Sequence, residues 1–266
     1  MKFEFRLDAV EDIAPWTNSK GTKKLGWYAL TLGWFWIDAA EPKLFRYSDE
    51  IIGHSCEKYP LIKQEPPYVS YQVARLWEDL IVMLPHVLTP LPNDLATKIA
   101  NAERWRTGTE RAYRYSAESN ELLVQFENAL YWWRKRTLDT AYLRYGPDIW
   151  LWTVDDMVHL RWDNRGISEN NVPIWRAESG ELSMPIGAFI EELTLFDALF
   201  MSTMAERVET ICHNGCSDDV LIDLEHLKLE QRERSTWLAG ALSRPRECES
   251  WDIILSDLSE LERLLN

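Results

Sequence analysis

Cys212-His213-Asn214-Gly215-Cys216 sets two thiols beside an imidazole, and His226 and Cys248 follow downstream. Thiolate and imidazole are the ligands zinc accepts most readily. The remaining ligands lack a repeated spacing, however, and no second knuckle accompanies the pair. A helix end explains the same residues, because Asn214-Gly215 suits the left-handed conformation of a cap. Cys212 and Cys216 are a zinc pair at most, and no cofactor is implied. Carboxylate pairs occur at Asp155-Asp156, Glu191-Glu192 and Asp218-Asp219. Two carboxylates can divide acid and base roles in glycoside hydrolysis, but sequence neighbours on a strand or helix do not aim at one substrate. Asp155-Asp156 reads as a turn, and Asp218-Asp219 as a helix start where negative charge suits the dipole. Five histidines (His54, His86, His159, His213, His226) fall in no motif. Arg134-Lys135-Arg136 beside Trp132-Trp133 has the residue types of a phosphate patch, yet late in a helix it reads as a solvated cationic face. There is no G-x-G-x-x-G, P-loop, H-E-x-x-H or G-x-S-x-G.

Two kinds of element must position these groups. Phe3 to Leu7 alternates as a strand, and Trp27 to Ile37 reads as two strands divided at Gly33. Leu44 to Tyr47 is a further strand. From Tyr68 the period becomes helical, and Val69, Val73, Leu76, Leu80 and Leu84 predict a helix ending before Pro85. A polar stretch to Ser116 follows, then a helix from Glu118 to Tyr145 stopped by Gly146-Pro147. Ile149 to Val154 and Met157 to Trp162 form a hairpin across Asp155-Asp156. Ile174 to Met184 adds one or two strands. The stripe Ile186, Phe189, Leu193, Phe196, Phe200, Met204, Val208, Ile211 predicts a long amphipathic helix reaching Gly215. Helices at 219–240 and 249–265 close the chain. The fold class is therefore α+β: antiparallel, aromatic-rich hairpins packed on long amphipathic helices, with a helical C-terminus. Residues 1–266 read as a single domain, whose natural sub-lobes would be 1–146 and 147–266.

Bulk composition narrows the function. With 43 acidic and 29 basic residues the net charge is −14, which repels phosphate backbones and attracts basic partners. Direct nucleic-acid binding is disfavoured. The N-terminus has no apolar h-region and no apolar run reaches 18 residues, so the expectation is a cytoplasmic protein without a membrane span. Fourteen tryptophans are the other excess. Trp34, Trp36, Trp150 and Trp152 are expected in the seam between sheet and helices, and whether a few such as Trp16 or Trp105, in less regular segments, reach the surface as anchors stays open.

Leu32-Gly33-Trp34-Phe35-Trp36-Ile37-Asp38, Leu44-Phe45-Arg46-Tyr47-Ser48-Asp49-Glu50 and Tyr71-Gln72-Val73-Ala74-Arg75-Leu76-Trp77-Glu78-Asp79-Leu80 together resemble a bacterial family of unknown function. Trp175-x-Ala177-x-Ser179-Gly180 and Met204-Ala205-Glu206-Arg207-Val208 extend the likeness along the chain. The resemblance implies an immunity protein that binds and neutralises a cognate, basic toxin domain, and it carries over no catalytic residue. The partner-binding candidates are the acidic loop residues Asp49, Glu50, Asp155, Asp156, Asp163 and Glu169. Arg46, Tyr47, Arg75, Trp77, Glu78 and Asp79 are expected to form an internal polar-aromatic network joining helix to sheet. The alternatives are a hydrolase-like enzyme with a tryptophan-lined pocket, or an adaptor or small-ligand-binding protein.

Overall fold

Alternation at Phe3-Glu4-Phe5-Arg6-Leu7 makes a strand because one face can be buried while the other stays wet. In the computed structural model, which describes residues 1–39, 41, 43–58, 67–99, 120–215, 220–244 and 250–265, this is β1 (Lys2–Leu7). There follow β2 (Trp16–Thr17), β3 (Lys23–Lys24), β4 (Leu32–Asp38), β5 (Lys43–Leu44), α1 (Asp49–Lys58), β6 (Val69–Gln72), α2 (Val73–Val87) and α3 (Asn93–Ala96). The next elements are α4 (Asn120–Arg134), β7 (Ile149–Val154), β8 (Met157–Asp163), β9 (Ser168–Glu169), β10 (Val172–Pro173) and β11 (Ser179–Pro185). The chain ends with α5 (Ile186–Asn214), β12 (Val220–Leu221), α6 (Leu224–Arg234), α7 (Trp237–Ser243) and α8 (Trp251–Leu265). The protein is α+β. Among the described residues no helix is long and apolar enough to cross a membrane.

The chain sorts into two compact units, each built from three stretches. The first comprises Met1–Val82, Arg165–Ala177 and Gly187–Ser243. Its main sheet places β4 between β1 on one side and β5 and β6 on the other, all antiparallel. Phe3, Phe5, Phe35 and Ile37 share one face, since Phe3 pairs with Ile37 and Phe5 with Phe35. That face meets α5: Phe3 lies 5.7 Å from Phe196 and Phe5 lies 5.5 Å from Phe200, ring centre to ring centre. The predicted stripe on α5 is buried at Phe189, Leu193, Phe196, Phe200, Met204, Val208 and Ile211. Trp34 and Trp36 point the other way, half-buried, which corrects the expectation that they fill the seam. Arg6 lies 4.5 Å over Trp34, and Trp36 stacks on Tyr68 at 4.5 Å. Alternation had paired the two indoles correctly but could not say which face is inward.

Gly33 is no turn between strands; it lies inside β4, and the backbone of Arg6 and Leu7 in β1 passes where its Cβ would be. Residues ahead of it form a short 3₁₀ turn, Ala29–Thr31, instead of a strand. The Thr31 hydroxyl there accepts from the Ala74 amide, 3.4 Å away, at the start of α2. Two boundaries of this region move. The helix begins at Val73, because Val69–Gln72 pairs with β4, and it continues through Pro85 to Val87. Proline so near a helix end removes one amide bond without breaking the axis, and Thr89 Oγ1 caps the Pro85 carbonyl at 2.8 Å. The Leu44–Tyr47 strand stops at Leu44, where Phe45 turns to φ +63°.

The second unit comprises Met83–Asn164, Glu178–Ile186 and Arg244–Asn266. Strands β7, β8 and β11 form an antiparallel meander with β8 central. Asp155 and Asp156 make its predicted two-residue turn, both at positive φ (48° and 59°), as a type I′ hairpin requires. Trp150 and Trp152 enter a buried cluster with Leu95, Leu130, Trp132 and Leu258 from the helices, as expected for a sheet–helix seam. The Glu118–Tyr145 helix ends early, at Arg134, and Thr137 bridges to Trp150 instead. Arg136 then turns inward with no exposed surface, so it is not part of a solvated cationic face. The 219–240 helix is likewise two pieces, α6 and α7.

Gly180 faces Trp162 across the β8–β11 pair, and a Cβ there would overlap the indole, which is 4% exposed. Gly180→Ala is expected to cost about 1–3 kcal/mol through this overpacking, read as a lowered urea midpoint. An unchanged midpoint would show that the Trp162 ring can move aside.

Candidate partner-binding surface

The acidic candidates divide between the units. Asp49, Glu50 and Glu169 belong to the first; Asp155, Asp156 and Asp163 belong to the second. Ser48 caps α1, its Oγ accepting from the Ile51 amide at 3.0 Å and donating to the Pro173 carbonyl at 2.6 Å. That cap puts Asp49 and Glu50 in the first turn, where the helix dipole favours carboxylates. Asp49 is bound on both oxygens, by Arg46 at 3.1 Å and Arg176 at 2.5 Å. Its charge is therefore answered within its own unit. Glu50, Asp155 and Asp156 are exposed and have no partner among the described residues. Asp163 and Glu169 are half-buried.

The internal network forms, but as two clusters. In one, Tyr47 stacks on Trp175 at 5.1 Å and burial raises the Tyr47 pKa above its ordinary 10.0. The other joins α2 to α5 and α6. Trp77 Nε1 donates to Asp197 on α5 at 2.7 Å, and Trp27 Nε1 donates to Gln231 on α6 at 2.6 Å. Glu78 pairs with Arg234, whose guanidinium lies 4.3 Å from Trp27 and 4.6 Å from Trp237. Arg75 and Asp79 pair along α2 at 3.1 Å. Tyr28, packed beside this cluster, has its phenol pushed up to about 12 by burial and by the neighbouring Tyr71 and Glu78.

Burial also raises the Asp197 carboxyl above its ordinary 3.8, against the lowering effect of the Trp77 hydrogen bond. A raised carboxyl stabilises the fold fully below its unfolded pKa and loses that contribution as pH climbs through the folded value. Stability should therefore decline from pH 3.8 upward across this titration, and Asp197→Asn should flatten that part of the profile in urea melts. An identical profile in the variant would remove Asp197 as the cause.

A third feature lies on the small sheet of the first unit, ordered β12-β3-β2. Trp16 pairs with Lys24, and Lys24 pairs with Leu221, so the three side chains line one face in a row. All three are exposed, Trp16 by 69% and Leu221 by 58%. Trp105, the other tryptophan whose exposure the sequence left open, lies outside the described residues. The opposite face of the same sheet lines a cleft of about 440 Å³ with Val10, Ile13, Pro15, Leu25, Ile211 and Val220. Lys23 and Glu11 edge it. This arrangement offers apolar area with cations beside it, the composition of a protein-contact site. Sequence hinted at Trp16 by its irregular setting; Leu221 carried no such signal, because its pairing spans most of the chain.

A sequence model of the family of unknown function DUF5984 matches residues 2–257. The chain belongs to the DUF5984 family. Neither a curated protein nor a solved structure matches it. All the candidate residues of this DUF5984 chain lie inside the matched span. Two segments that suggested the relationship, Leu44–Glu50 and Trp175–Ala177, meet through the Tyr47–Trp175 stack and the Asp49–Arg176 pair.

Among the described residues no group of three His, Cys, Asp or Glu could hold an ion. Cys212 is a half-buried free thiol on the last turn of α5, and His213 Nδ1 donates back to the Glu209 carbonyl at 2.8 Å. Cys216 lies outside the described residues. His159, half-buried on β8, stacks on Trp152 at 5.2 Å and meets Glu181 at 3.2 Å.

Proposed function

We propose that this DUF5984 protein acts in the cytoplasm as an immunity protein, neutralising a cognate bacterial toxin domain by direct contact. The observation that supports a binding role is Trp16, an indole 69% exposed and aligned with the exposed Leu221. Indole is costly to leave in water, and a solvent-facing tryptophan beside apolar neighbours is the usual chemistry of an interface anchor. The charge of −14 adds a long-range field that speeds approach of a basic toxin. Exposed Asp155 and Asp156 at the hairpin tip, with exposed Glu50, supply carboxylates for local contact.

Co-expression with the toxin domain encoded beside it should restore growth. The purified pair should bind with a Kd on the order of 1 nM by calorimetry. Persistent toxicity together with no measurable complex would rule the reading out.

A further inference from the structure

Strand β11 is the open border of the meander β11-β8-β7 in the second unit. The opposite border is occupied: Leu138 donates to Ile149, Leu151 to Arg136 and Leu91 to Thr153, so neighbouring chain uses the free side of β7. Which groups β11 presents follows from the ladder. The Asn164 amide donates to the Glu178 carbonyl at 2.6 Å and the Ile186 amide to the Asp156 carbonyl at 3.1 Å, so the even-numbered residues bond to β8. Ser179, Glu181 and Ser183 therefore aim both amide and carbonyl away from the sheet, and Pro185 its carbonyl. Among the described residues no backbone group meets them there. All four residues are exposed.

An open edge is ordinarily blunted by lysine, a bulge or a proline inside the strand. Strand β11 has none of these: its register against β8 is one-to-one over all 7 residues, and its proline stands last. Its one charge, Glu181, is answered on its own face by His159 at 3.2 Å and Arg161 at 3.4 Å. By contrast β1, an edge of the first unit's sheet, carries Lys2, Glu4 and Arg6.

We infer that β11 pairs with β11 of a second copy of this chain, antiparallel about a two-fold axis at Leu182, joining the two meanders into one continuous sheet. The strand's own sequence selects that register. An axis at Glu181 sets two carboxylates face to face. An axis at Ser183 sets Glu181 opposite Pro185, which has no amide to donate, and leaves Ser179 beyond the overlap. The axis at Leu182, the middle residue, pairs the whole strand: Glu181 with Ser183, Gly180 with Met184, and Leu182 with its own copy. No like charges meet, the bulky Met184 lies beside the residue without a side chain, and the leucines form the close, non-hydrogen-bonded pair. One segment supplying both sides is what a two-fold interface requires. A strand of another protein could use the same amides and carbonyls; the self-matching register favours a second copy. The inference stands apart from the immunity reading, since either can fail alone.

Sedimentation equilibrium of the full chain tests it. The mass should rise from 31.2 kDa to twice that value with increasing concentration. A small, mostly backbone contact sets the Kd on the order of 10 μM. Because each copy carries −14, association should tighten as NaCl rises from about 0.05 to about 0.5 M. Ser183→Pro removes an outward amide and spares the ladder to β8, so it should weaken association at least about thirtyfold with an unchanged circular dichroism spectrum. Ser183→Glu, facing Glu181, serves if the proline variant does not fold. Leu182→Cys should crosslink into dimers with diamide, whereas Ser183→Cys, offset from its own copy, should crosslink no more than the parent. A chain monomeric at about 100 μM overturns the inference. So does a dimer that Ser183→Pro leaves intact or that salt weakens, or a Ser183→Cys chain that crosslinks as well as Leu182→Cys.

Discussion

Replacing Trp77 by alanine is expected to cost about 3–5 kcal/mol of folding free energy, the range for a large aromatic removed from a core. Trp77 has no exposed surface. Its ring meets Trp237 at 5.5 Å, Phe200 at 5.8 Å and Trp27 at 6.4 Å, so a cavity opens among three other rings. The same change strips Asp197 of the indole donor, leaving a half-buried carboxylate whose pKa is already raised by burial. Arg234 keeps Glu78 and Trp27 but loses the support that Trp77 gives its second wall, Trp237. Urea unfolding followed by circular dichroism measures the loss. Trp77→Phe should recover part of it, because a ring returns but the hydrogen bond does not. A cost below about 1 kcal/mol for the alanine variant would mean that the cluster is ornamental to the first unit.

Arg136→Ala should be the second large loss, about 3 kcal/mol or more. The guanidinium has no exposed surface, and its surroundings explain how a buried charge is tolerated. One nitrogen donates to the Trp132 carbonyl at 3.0 Å, in the last turn of α4. Another donates to the Thr89 carbonyl at 3.1 Å, just beyond the end of α2. Both acceptors lie at helix C-termini, where carbonyls lack amide partners and the dipole is negative. The Trp251 ring lies 5.4 Å from the guanidinium carbon. Arg136→Lys keeps the charge but not the planar fork, so it should recover only part of the loss. Full recovery by lysine would show that charge alone matters and that the two-carbonyl geometry does not.

Local patterning foretold the elements whose cause is local. The Asp155-Asp156 turn followed from alternation on either side, and α5 followed from one unbroken apolar stripe. Features decided by distant partners stayed hidden. Gly33 read as a break because glycine often is one; only the passage of β1 shows that it sits within a strand. Trp34 and Trp36 were assigned inward since aromatics usually are, yet Phe35 and Ile37 hold that face. Arg136 read as solvated because a cationic run is ordinarily wet, and nothing nearby in sequence announces two helix ends converging on it. The acidic candidates were visible as charges, but the answering of Asp49 by Arg46 and Arg176 needed a segment far along the chain. The Trp16 row depended on β12, the most distant pairing of all.

That interleaving sets a timetable on the ribosome. The sheet face of Phe3, Phe5, Phe35 and Ile37 leaves the exit tunnel early, whereas its cover arrives with Phe196 and Phe200. The cluster around Trp27 and Trp77 waits longer, for Arg234 and Trp237. On the order of 150 residues separate Val82 from these partners, which at about 5–20 residues per second is roughly eight to thirty seconds of synthesis. For that interval the first-made part of the protein is a bare aromatic surface. Nascent chains should therefore engage holding chaperones through this exposed aromatic surface, and the first unit, although started first, cannot close before the stretch Gly187–Ser243 has been made.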